Sequence, residues 1–89
     1  MPSISFTPNI QRHVVCPTCE VTGRTVRDVL EDFFQANEVA RGYVLDDQGA
    51  LRRHMNIFVN GEPIADRTSL SDPVSERDEV FVMQALSGG

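Results

Sequence analysis

The chain has 89 residues, 40% hydrophobic and 24% charged, with a formal net charge of -5. That length suits one small domain with a single core, and no segment approaches the roughly 20 apolar residues of a membrane span or the layout of a secretory leader, so the reading is a cytoplasmic protein with no membrane partner. No basic cluster exceeds Arg52-Arg53, so the counterion release that drives nucleic-acid binding has little to act on, and nucleic acid is excluded as a partner.

In "SISFTPNIQRHVV", Ile4, Phe6, Ile10 and Val14 stand at even positions, the period of a strand with one buried face. Pro8 marks an edge, bulge or break there. Residues 16–19, "CPTC", read as a turn, and "EVTG" as a short returning strand that completes a hairpin. In "TVRDVLEDFFQAN", Val26, Val29, Leu30, Phe33 and Phe34 form one apolar stripe of an α-helix. Thr25 stands at the N-cap position, and Asp28 places negative charge in the first turn, where the helix dipole favours it. Burying those five side chains stabilises the fold by about 8 to 15 kcal/mol before entropy is subtracted.

From Glu38 to Arg53 the periodicity fades and turn signals appear at Arg41-Gly42 and 46–49, so this segment reads as a long connection with an extended piece near Tyr43 to Leu45. In "NIFVNGEPIA", Asn60-Gly61 is a strong hairpin signal because both central residues of such a turn need positive φ. Pro63 assigns the returning arm to a sheet edge. Leu70 and Val74 are inward anchors in the polar stretch that follows. The last strand, "VFVMQAL", is apolar on both sides: with Val80 and Val82 facing the helix, Phe81 and Met83 face away. Strand, strand, helix, connection, strand, short strand, final strand describes an α+β roll of the β-grasp kind, a mixed sheet of four to five strands with one main helix across it. Residues 1–85 form the domain and residues 86–89 a flexible tail.

That tail ends in Gly88-Gly89, the residue type that loses most backbone freedom on ordering. The succession of a hairpin, "GRTVRDVLEDFF", "IFVNGEPI" and "DEVFVMQALSGG" resembles the ubiquitin-like sulfur carriers: the molybdopterin synthase small subunit, the thiamine sulfur carrier and the cysteine-synthesis sulfur carrier. The resemblance implies that an adenylating enzyme uses ATP to transfer AMP to the Gly89 carboxylate, and that sulfur then replaces AMP to give a thiocarboxylate. On this reading the protein is a co-substrate, monomeric when free. It holds no permanent cofactor, is not an enzyme, and passes sulfur to a downstream accepting enzyme. Phe81, Met83 and Leu86 are the docking residues, an apolar patch beside a functional tail. The strand exit "QAL" lacks the prolines of many carriers, and the length of the 38–54 connection leans toward cysteine synthesis or a secondary-metabolite donor.

Two readings from other classes stand beside it. One is a ubiquitin-like modifier joined through Gly89 to target lysines. The other is a zinc-binding interaction module built on Cys16 and Cys19. His13, Cys16 and Cys19 fall at three-residue intervals, yet a lone C-x-x-C supplies two of the four ligands of a structural zinc and no second pair follows. Ser71-Asp72 and Ser75-Glu76 lack a partnering histidine and read as caps or solvated turn residues. All eight basic residues are arginine. An arginine-rich codon bias accounts for this, and so does a chain that must not be attacked through a lysine amine.

Overall fold

In the computed structural model, which describes residues 1–6 and 18–84, the chain runs β1 (Ser3–Phe6), β2 (Thr18–Glu20), α1 (Val26–Ala36), α2 (Glu38–Val44), β3 (Met55–Val59), β4 (Glu62–Pro63) and β5 (Glu79–Gln84). The strands form one five-stranded sheet in the order β2-β1-β5-β3-β4. β5 lies at its centre, parallel to β1 and antiparallel to β3. Ile4, Phe6, Ile57, Val80 and Val82 face one side, where Val26, Val29, Leu30, Phe33 and Phe34 of α1 cover them, and all ten are buried. Phe6 and Phe33 stack with ring centroids 4.8 Å apart, which ties the helix to the first strand.

The helix begins where its sequence predicts. Thr25 accepts a hydrogen bond from the Asp28 amide at 3.1 Å, satisfying one orphan donor. The amides of Val26 and Arg27 donate to the carbonyls of Asp72 and Leu70, so the 65–74 loop caps the same end. Gly23 precedes this turn at φ +150, where an added Cβ would sit 2.5 Å from the Asp28 Cβ, so no larger residue fits without movement.

The loops are held by side chains that reach backbone groups. Arg67 donates to Asn56 Oδ1 at 3.2 Å and to the carbonyls of Arg52, Arg53 and Met55, occupying the flank of β3 that the two-residue β4 does not reach. Arg27 likewise donates to the carbonyls of Gly49, Thr68 and Ser69. Asp66 accepts from the amides of Thr68, Ser69 and Ser71 and from the Ser71 hydroxyl at 2.6 Å. Led by that hydroxyl, these donors hold its carboxyl down from 3.8 to about 2. A carboxyl depressed in the folded state contributes stability above its unfolded value and loses it as the pH falls through its folded value. We therefore expect the melting temperature to fall between about pH 4 and pH 2. Asp66→Asn should be less stable at pH 7 and should flatten that decline in melts recorded across the range.

Several expectations are corrected. The 38–44 segment is not a connection but helix α2: Ala40 and Val44, four residues apart, are buried together, and Asn37 links the helices by donating to Phe33 O and Phe34 O. The arginine and glycine that suggested a turn lie on its exposed face, Arg41 over the Phe34 ring at 5.1 Å. The extended piece shrinks to a single bridge between Leu45 and Leu51. The second strand is Thr18–Glu20, two residues earlier than "EVTG", because Cys19 pairs with Ile4. Cys19 is thus a strand residue, and it is disulfide-bonded. The hairpin holds as predicted, with Asn60 at φ 52 and Gly61 at φ 84. Leu70 and Val74 point inward, and Pro63 lies on the edge strand. Pro8, Ile10, His13, Val14 and Cys16 lie outside the described residues.

Candidate functional site

The side of the sheet away from the helices follows from strand alternation. On β5 the odd positions face outward: Phe81 keeps 37% of its surface exposed, and Met83 is half-buried. Register brings further apolar surface alongside. Phe58 of β3 pairs with Phe81, Asn56 pairs with Met83, and Pro63 of β4 pairs with Phe58. On the other flank Ser5 of β1 pairs with Phe81. The result is an apolar strip of Pro63, Phe58, Phe81 and Met83 bordered by Ser3, Ser5 and Glu79. The 38–53 segment does not cover it, since Ala40, Val44, Leu45 and Leu51 turn into the core on the other side of the sheet.

β5 also fixes where the chain leaves the domain. Gln84 pairs with Met55, so the strand is laddered on β3 to its last residue, and the exit lies beside the 52–54 turn with exposed Arg53 and His54. From Gln84 to Gly89 there are five residues, a contour of at most about 17 to 18 Å. Of the predicted docking residues, Phe81 and Met83 stand together on the outer face. Leu86, Gly88 and Gly89 lie outside the described residues. Phe58 and Pro63 were missed, although alternation in "NIFVNGEP" carries the signal: with Ile57 inward, Phe58 is outward.

Among the described residues no three histidine, cysteine or acidic side chains converge as a metal site. Ser71 and Asp72 are used up in the 65–72 loop, where Ser71 donates to Asp66 and Asp72 accepts from the amides of Ala65 and Asp66. The Ser75 amide donates to Asp78, which also takes an Asn60 side-chain donor; these two bonds lower the Asp78 pKa. No helix among the described residues is long and apolar enough to cross a membrane.

Residues 16–89 match the model of the ThiS family. Among solved structures, SAMP1 from Haloferax volcanii is 26% identical with a TM-score of 0.81, over 99% of this chain and 98% of that one. A chain of the Amycolatopsis orientalis BexX/CysO complex is 20% identical with a TM-score of 0.86 over the whole of both chains. Mycobacterium tuberculosis CysO is 21% identical with a TM-score of 0.83, over 97% of this chain and all of that one. No curated protein matches the sequence. The shared architecture is the α+β, ubiquitin-like β-grasp.

Proposed function

Since the chain belongs to the ThiS family of ubiquitin-like sulfur carriers, we propose that it carries sulfur as a thiocarboxylate on Gly89 and serves as a protein co-substrate. The observation that carries the reading is that the family match runs through residue 89 and so includes Gly88 and Gly89, four and five residues beyond the end of the central strand. An α-carboxyl group with a pKa near 3.5 is ionised at pH 7 and attacks the α-phosphate of ATP without a base of its own. A partner enzyme supplies the ATP site. Pyrophosphate leaves and an acyl adenylate forms. Hydrosulfide then bonds to the carbonyl carbon, the carbon–oxygen bond breaks as AMP leaves with its electron pair, the S–H proton is lost to water, and the thiocarboxylate remains. Two residues without Cβ let the tail enter a narrow channel in whatever conformation the partner imposes.

Phe81, Met83 and Leu86 dock the adenylating enzyme and, in turn, the sulfur-accepting enzyme, with Phe58 extending the surface. Phe81→Thr removes the ring while keeping a residue that suits a strand. It should weaken binding by about 1 to 2 kcal/mol, a rise of roughly 5- to 30-fold in the KM for this protein in ATP–pyrophosphate exchange by its adenylating enzyme. The melting temperature should hardly move. An unchanged KM would remove Phe81 from the interface.

A modifier reading shares the first step and differs in the acceptor, an amine in place of sulfur. It is favoured by the likeness to small archaeal modifier protein 1 of Haloferax volcanii. Gly89-linked adducts on other proteins, formed with ATP and no sulfur source, are its signature.

A further inference from the structure

The described arginines divide into two groups. Arg27 and Arg67 each donate to three or more acceptors, Arg52 Nε donates to Gly42 O, and Arg41 pairs with Glu31 while lying over Phe34. A planar guanidinium suits each of those tasks better than an ammonium does. Arg24, Arg53 and Arg77 are different. All three are exposed, and among the described residues their side chains make no hydrogen bond or ion pair. A lysine would serve as well there for charge and solubility, yet the 89 residues contain none.

We propose that arginine and not lysine stands at position 53 because a lysine amine there, at the root of the tail, would capture the activated carboxyl terminus. The proposal rests on the reading that Gly89 is activated. At neutral pH a lysine amine has about a hundredfold or more free base than an arginine guanidinium, which stays protonated, and the free base is the nucleophile. A nucleophile and an electrophile joined through only a few residues act at an effective concentration on the order of millimolar. Arg53 stands two residues before Met55, the partner of Gln84, and so lies at the root of the tail. Arg77 precedes β5, at the other end of the strand, and Arg24 is beside it, with Arg24 O accepting from the Val74 amide. The α-amino group is also at that far end, because Ser3 pairs with Glu79. Capture would form a bond from the lysine nitrogen to the Gly89 carbonyl carbon, expel the activating group with its electron pair, and release a proton to water. The product is a lactam that can no longer carry sulfur.

The test uses the full chain bearing a C-terminal alkyl thioester, an activated carbonyl that needs no partner enzyme. In dilute solution near pH 8 the wild type and Arg77→Lys should lose the thioester by hydrolysis, returning the mass of the free acid. Arg53→Lys should lose it on the order of tenfold faster, with a product lighter than the free acid by one water, and peptide mapping should place the cross-link between residues 53 and 89. Arg53→Gln should behave as the wild type does. Hydrolysis of Arg53→Lys at the wild-type rate, with no lactam, would overturn the proposal. So would equal capture by Arg53→Lys and Arg77→Lys, since position would then be irrelevant. Because the thioester is made chemically, these outcomes are independent of whether a partner adenylates Gly89.

Discussion

Removing Gly88 and Gly89 is expected to abolish adenylation and sulfur loading while leaving the melting temperature within about a degree of the intact protein. Of the described residues, the buried ones all lie at or before Val82, so the truncation takes nothing from that core. The lost function is not a matter of affinity. A chain ending at Ser87 still presents a carboxylate, but it stands two residues, roughly 7 Å of contour, short of where Gly89 would reach. It also ends on a side chain where the proposed reading has the partner's channel take bare backbone. A displacement of 1 Å can already cost a hundredfold when reacting atoms must be aligned. We therefore expect no pyrophosphate exchange above background, with docking retained. Binding that persists through Phe81 without turnover separates recognition by the sheet from chemistry at the tail. Retained loading in the truncated chain would place the reactive group elsewhere.

Phe34→Ala is expected to have the largest effect on the fold. Phe34 is fully buried, with Phe33 edge-on at 6.0 Å and the Arg41 guanidinium over its ring, 5.1 Å from the centroid. Truncating it removes the apolar burial, opens a cavity between the helices and leaves Arg41 only its exposed pairing with Glu31, an interaction of little worth alone. The cost is about 3 to 5 kcal/mol. A domain of this length has roughly 4 to 13 kcal/mol in all, so the melting temperature should drop by roughly 15 to 30 °C. Val39→Ala, on the exposed face of α2, is the control and should change stability by less than about 0.5 kcal/mol. A drop of only a few degrees for Phe34→Ala would mean that the two helices do not share one core.

Physical causes separate what was legible in the sequence from what was not. Helix α1 was readable because one apolar stripe, an N-cap threonine and an acidic first turn all agree. The Asn60-Gly61 hairpin was readable because its turn demands positive φ twice. The inward and outward faces of β5 followed from alternation alone. Helix α2 was hidden because it is seven residues long and buries only Ala40 and Val44, while its exposed Gly42 imitates a turn. Its stability comes from packing on α1, which no local pattern reports. The pinning of β3 by Arg67 was equally invisible: the residues that join there are separated by more than ten positions and meet only once the sheet exists. At the site, Phe81 and Met83 were found from alternation. Phe58 is outward by the same alternation, but its place beside Phe81 comes from the β3–β5 register, which no local pattern reports.

Fragmentation of the intact protein by mass spectrometry, after incubation with ATP, its adenylating enzyme and a sulfide source, gives the most direct answer. We predict that one oxygen is exchanged for sulfur and that only fragments retaining Gly89 carry the change. Sulfur found on another residue, or a protein whose mass is unaltered although the enzyme has consumed ATP on it, would contradict the account.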